Sequence, residues 1–363
     1  MCSSDCSASS HLVVSPRLPL ALTPHYVGID ENGVGPRLGP MIVTSVVLRV
    51  DGDSGAKLVT GKPTGSSARR IGDSKKLVAF DDSALGEAWA RVITRRSGAD
   101  ARTPAELLAA IALDAPEVLQ APCPKHHTSL CWNADGESFR ATDDAVAECE
   151  KDLIRLEKKG VHVLRARSAY VCTRQLNEAA ANGVSRFDLD LHAMERLTMA
   201  ANEDVGGEVH AICGKVGGFD FYGRRFGPLA GRLHTVLVEG RARSEYQFPG
   251  VGRLSFVRDA DGTHLLVGLA SLVGKWVRDH LMRRVVRFHR DHQPALQNVS
   301  GYHDPVTTTF IEATALLRKK LRVEDACFER RSVLTSSRKP PATKHSFGST
   351  KRGSQPELPT RES

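Results

Sequence analysis

The chain has 363 residues, of which 41% are hydrophobic and 25% charged, a balance that allows a sizeable buried core and argues against a disordered chain. Its 50 Lys and Arg against 42 Asp and Glu give a net charge of +8, which favours a polyanionic partner, although residues 331–363 alone hold seven basic and two acidic residues and so supply about +5 of it. Eight scattered cysteines are too sparse for a disulfide scaffold, and no apolar run approaches the roughly 18 residues of a membrane span, so the reading is a cytoplasmic protein with no membrane partner.

Residues 1–24 are rich in Ser and Pro and read as a flexible arm. LVVSPRLPLAL is broken by Pro16, Arg17 and Pro19 and lacks a basic leader, which argues against a signal peptide. HYVGID and MIVTSVVLRV, rich in β-branched residues, predict two strands paired as a hairpin. Asp51 to Ser67 predicts a loop or a weak further strand, and Asp82 to Arg96 a helix. Asp114 to Thr142 has no period and reads as an irregular insertion. ATDDAVAECEKDLIRLEKKG predicts a helix closed by Gly160, VHVLRARSAYV a strand, and Asn177 to Met199 one long helix. Three further strands are predicted in EVHAICG, HTVLVEG and RLSFVRDAD. Two helices follow, in LLVGLASLVGKWVRDHLMRRVVRFHR and PVTTTFIEATALLRKKL. Residues 331–363 read as a disordered basic tail.

Asp30 and Glu31 stand at the end of a buried strand, just before glycines, where buried carboxylates call for a cation or a partner. GIDENGVGPRLGPM resembles the opening motif of the type 2 ribonuclease H family, and four further stretches match that family in order: IGDSKKL, RQLNEAAANGVSRFDLDLHAMERL, DADGTHLLVGLASLVGKWVRD and SGYHDPVTTTF. The resemblance covers roughly residues 25–320. It implies an α/β fold, a ribonuclease H-like mixed β-sheet flanked by helices with a C-terminal helical extension, in one domain over 25–330. It also implies an endonuclease that hydrolyses the RNA strand of RNA–DNA hybrids or ribonucleotide-containing duplexes with Mg²⁺ or Mn²⁺, through paired ions roughly 3.5–4 Å apart. Asp30, Glu31 and Asp261 fall on catalytic, metal-holding carboxylates of the family. Gly33, Gly35, Ser74, Lys75, Lys275, Arg278 and Tyr302 fall on its substrate-binding positions, Tyr302 at the RNA–DNA junction.

Two positions depart from the family. Its remaining carboxylate falls on Gly214, or on Cys213 with a one-residue slip, and neither offers a hard oxygen. Asp220 and Glu239 are the candidates to replace it. Val34 stands where the family has Arg. The alternative to the nuclease is therefore a catalytically inactive relative that binds hybrid or other nucleic acid. Outside these motifs, CPKHHTSLC groups Cys123, His126, His127 and Cys131, ligand types suited to zinc, without a second pair at matching spacing.

Overall fold

The structure, a computed structural model, describes residues 25–126 and 129–331. The expected arm and tail, and His127, lie outside these residues. A seven-stranded mixed sheet forms the centre. Its strands are β1 (His25–Asn32), β2 (Met41–Val50), β3 (Val161–Val171), β4 (Val209–Gly214), β5 (Thr235–Val238), β6 (Arg243–Phe248) and β7 (Gly252–Val257), in the order β3-β2-β1-β4-β7-β6-β5. β1 and β2 form the expected antiparallel hairpin, with Asp30 opposite Thr44. β1, β4 and β7 run parallel, so their carboxyl ends lie at one edge of the sheet. Such an edge, where neighbouring connections diverge, is where open α/β sheets place their sites.

Helices cover both faces. They are α1 (Gly52–Val59), α2 (Ser74–Leu77), α3 (Ala84–Arg96), α4 (Pro104–Ile111), α5 (Pro116–Gln120), α6 (Asp143–Glu157), α7 (Thr173–Ala181), α8 (Arg186–Val205), α9 (Ala260–Thr263), α10 (Leu265–His292), α11 (Pro305–Ala313), α12 (Ala315–Lys320) and α13 (Asp325–Phe328). Alternation along β1 divides the core. Val27 and Ile29 pack with Leu191, Met194 and Leu197 of α8. On the other face, Leu266, Leu269, Val273 and Trp276 of α10 pack with Ile42 and Val46 of β2 and with α3. α10 approaches β1 closely only because residue 28 is Gly: a β-carbon there would stand 2.3 Å from the Leu266 carbonyl oxygen. A third cluster joins Met282, Val285 and Phe288 of α10 to Phe310 and Phe328, seating the expected C-terminal extension.

Four local expectations change. The stretch after Asp51 is the helix α1 rather than a loop, because Gly55 lets it settle against Val50 and the Gly160 carbonyl. The single helix expected over 177–199 is two, broken where Ser185 caps α8 in a reciprocal box with Asp188. PVTTTFIEATALLRKKL likewise splits at Thr314, whose hydroxyl bonds the Phe310 carbonyl at 2.8 Å. β6 was hidden by its charges: Glu245 points inward and is held by Arg243 at 2.6 Å and Arg253 at 3.3 Å.

Candidate active site

Three parallel strands deliver the chemistry to the same edge. β1 ends in Asp30 and Glu31, β4 ends in Gly214, and the chain leaving β7 turns through Asp259, at φ 51°, into α9 with Asp261. Asp30 is 7% exposed. Its carboxyl is held well above the usual carboxylate range, chiefly by burial and then by repulsion from Glu31 and Asp261. Glu31 is pushed up to about 7 by burial, with Asp261 adding and Lys75 opposing. Asp261 is also raised, by burial and by Asp73, while the Gly262 amide donates to its Oδ1 at 2.9 Å. The three sequence-selected acids therefore share one electrostatic field, although they come from stretches more than two hundred residues apart.

The Asp-Ser-Lys stretch closes this field. Asp73 caps α2 by accepting from the Lys75 amide at 3.0 Å, and buried Ser74 lies 3.0 Å from the Ser271 hydroxyl on α10. Ser271 in turn favours the ionised form of the Asp30 carboxyl, against the larger effect of burial. Burial works against the charge of Lys75, but the combined field of Asp261, Asp30, Glu31 and Asp73 outweighs it and raises its pKa. Lys75 is thus the built-in countercharge of the acids.

Gly214 faces the same pocket. A β-carbon there would stand 3.0 Å from Asp30 Oδ1 and 3.5 Å from Glu31 Oε2. Cys213 points the other way, fully buried in the core beneath α8, with its thiol pushed up by burial. The two acids considered as replacements are engaged elsewhere: Asp220 pairs with Lys215 at 2.6 Å, and Glu239 accepts from the Tyr246 hydroxyl. Asp190 of α8, which sequence reasoning passed over, is fully buried, lacks a hydrogen-bond partner at Oδ1 among the described residues, and is raised by burial and by Glu31. Its place in the apolar-patterned α8 gave no signal of that proximity.

The glycine turn is held from behind. Gly33 adopts φ 89°, a conformation that favours glycine. Arg330 donates to the carbonyls of Gly33 at 2.6 Å and Gly39 at 2.7 and 2.9 Å. Burial, then Arg278, lowers its pKa to about 9. Arg278 does not lie on an open groove. It is 1% exposed, donates to Asp279 at 3.1 Å and to the Ser300 carbonyl at 2.6 Å, and has its guanidinium carbon 4.8 Å from the centre of the Tyr302 ring. Lys275 is tied to Asp279 at 2.5 Å. Tyr302 is 44% exposed, and the turn that carries it docks through the Gly301 carbonyl, which accepts from the amides of Arg37 and Leu38. His303 reaches the Gly35 carbonyl at 3.2 Å, so the 300–303 turn and the 33–35 turn are neighbours.

The donor set suits a hard divalent ion: clustered carboxylates kept from ionising by burial and by mutual repulsion are relieved by such a charge. Asp30 and Glu31 are the pair that would hold it, with Asp261 facing them. Among the described residues, however, no three His, Cys, Asp or Glu side chains already stand where one ion could be held by all. The same applies to CPKHHTSLC, where the Cys123 sulfur meets the Ser129 hydroxyl at 3.1 Å and Cys131 is buried. Among the described residues no helix is long and apolar enough to cross a membrane.

No family model matches the chain, and no curated protein matches it. Among solved structures it is similar to Bst-RNase HIII in complex with Mn²⁺, at 13% identity and a TM-score of 0.40, over 89% of this chain and 73% of that one. It is also similar to RNase HII in the PCNA:RNase HII complex from Archaeoglobus fulgidus, at 15% identity and a TM-score of 0.37, over 84% and 94%. The ribonuclease H2 from Pyrococcus horikoshii OT3 aligns at 13% identity and a TM-score of 0.34, over 84% and 92%.

Proposed function

We propose that the chain is a nuclease of the type 2 ribonuclease H kind, acting on the RNA strand of RNA–DNA hybrids or ribonucleotide-containing duplexes. The observation that carries this reading is the meeting of Asp30, Glu31 and Asp261 around Lys75 at the carboxyl ends of parallel strands. A bound Mg²⁺ or Mn²⁺ would supply an activated water and stabilise the leaving oxygen. Asp30, Glu31 and Asp261 are the residues that would hold the cation. Ser271, whose hydroxyl donates to Ser74, favours the charged Asp30 carboxyl. Lys75 opposes the upward shift of Asp30 and Glu31 and draws phosphate to the pocket. The Gly33 to Gly35 turn lets backbone approach a ribose 2′-hydroxyl, the group that separates RNA from DNA. Tyr302, backed by Arg278, offers a ring beside that turn, while Lys275 and Arg278 act through Asp279 and Tyr302 as positioning residues.

Gly214 favours a second reading, a catalytically silent relative that binds hybrid through the same groove, because a carboxylate is missing beside Asp30. The test is cleavage of a labelled RNA–DNA hybrid with Mg²⁺ or Mn²⁺, next to an Asp30→Asn control. RNA-strand cleavage to 5′-phosphate ends that disappears in the control supports the nuclease. Hybrid binding without cleavage above the control supports the silent binder.

A further inference from the structure

The irregular insertion and the arginine-rich end of α10 play no part in the acidic pocket, yet they meet at one cavity. It has a volume of about 510 Å³ and is lined by Glu137, Arg140, His280, Arg283, Arg287 and Arg290 among others. From Ser271 to Arg283 the helix rises about 18 Å, which separates this cavity from the carboxylates. We propose that it is a second site, which binds a ligand carrying adjacent phosphate groups.

Its walls are built around Glu137. That carboxylate accepts Arg284 Nε and Nη2 at 2.7 Å each, and His280 Nε2 lies 3.1 Å away. Arg283 Nη2 stands 3.1 Å from His280 Nδ1. A guanidinium only donates, so Nδ1 accepts and Nε2 carries its proton toward Glu137. Burial holds His280 below its ordinary pKa, consistent with a neutral ring. Nε2, buried and 3.1 Å from Glu137, has no hydrogen-bond partner among the described residues, so it is the Nδ1 contact alone that holds the Arg283 fork. Its Nη1 is buried without a hydrogen-bond partner among the described residues, and the Asp81 carboxylate is 4.0 Å off. A buried charged donor left unmatched is what a bound anion accounts for.

Charge points the same way. The lining has five arginines (140, 283, 284, 287 and 290) against three acids (Asp81, Glu137 and Asp291), an excess of two. Arg284 is matched by Glu137, Arg140 by Asp81 at 3.1 Å, and Arg287 donates to the Asn133 carbonyl at 2.7 Å with Glu137 3.6 Å away. Arg283, whose nearest acid is Asp81 at 4.0 Å, and exposed Arg290 are the cations left least matched among the described residues. The volume falls within the roughly 300–1,000 Å³ of ligand pockets, while Val286 and Pro294 are the apolar members of the lining. Recognition there rests on planar, multi-donor cations, which suit phosphate oxygens.

The inference does not depend on the nuclease reading. Titration calorimetry of the full chain with sodium tripolyphosphate at low salt should give saturable binding, weakened about tenfold by Arg283→Ala and by Arg290→Ala. Arg283→Lys, which keeps the charge and loses the fork, should also weaken it, and Arg232→Ala, at an exposed arginine outside the cavity lining, should not. Arg290 is exposed, so its variant keeps the fold, which thermal melting checks. Anisotropy with a labelled hybrid distinguishes the source of the phosphates. A parallel loss in Arg290→Ala assigns them to a strand backbone, and an unchanged affinity assigns them to a free oligophosphate; either outcome supports the site. Absence of saturable tripolyphosphate binding, or binding indifferent to both Arg283→Ala and Arg290→Ala, overturns it.

Discussion

Gly214→Asp tests the candidate active site most directly. The new β-carbon would stand 3.0 Å from Asp30 Oδ1, so Asp30 must yield by a few tenths of an ångström. The larger effect is charge. Two unit charges about 4 Å apart interact by about 4 kcal/mol at an effective dielectric of about 20, and the field here already resists ionisation of Asp30 and Glu31. Partial protonation and Lys75 offset some of this, so the metal-free variant should lose about 2–4 kcal/mol. Gly214→Ala meets the same oxygen without charge and should lose about 1 kcal/mol. Mn²⁺ should reverse the order. One added hard oxygen is expected to tighten metal binding about 10–100-fold, and metal at about 100 times its Kd returns about 2.7 kcal/mol. Urea unfolding with and without Mn²⁺ measures both halves, and hybrid cleavage should rise in the same variant. If the metal-free variant is as stable as the parent and gains no more from Mn²⁺, Gly214 does not mark the missing carboxylate.

Arg330→Met should unseat the Gly33 to Gly39 loop and cost about 2–3 kcal/mol in urea unfolding, since it strips charged donors from buried carbonyls. Arg330→Lys should not restore it, because one ammonium cannot span both carbonyls. Gly28→Ala drives a β-carbon into the Leu266 carbonyl, and a loss of more than about 3 kcal/mol is expected in thermal melting followed by circular dichroism. A near-parental melting temperature would mean that α10 crosses β1 less closely than described. Glu195 is buried and pushed up to about 7, chiefly by burial, from an ordinary value of 4.5. The folded state therefore keeps the proton longer: the stabilisation is complete below about pH 4.5 and is lost as pH rises through 7. Glu195→Gln should flatten that part of the melting temperature against pH, and an unchanged slope would remove Glu195 as its source.

Much of this molecule was legible in one dimension. The β1–β2 hairpin, β3, β4, β7 and α10 follow from β-branched runs, glycine stops and helical period, because each of those signals acts within a few residues. The acid positions were legible too, since Asp30-Glu31, Asp73-Ser74-Lys75 and Asp261 each lie in a short motif whose order along the chain was informative. What the sequence could not decide depends on contacts between distant segments. Glu245 lies in no predicted strand, and only the folded chain pairs it with Arg243 and Arg253 inside the sheet. Arg278 falls on a substrate-binding position of the family, but its helix turns it inward behind Tyr302. Arg330 lay at the edge of an apparent tail, and only the folded chain places it beneath Gly33. Composition and period determined which elements form; the tertiary structure alone decided which charges are buried together, because desolvation and Coulomb energy depend on distances that sequence spacing does not contain.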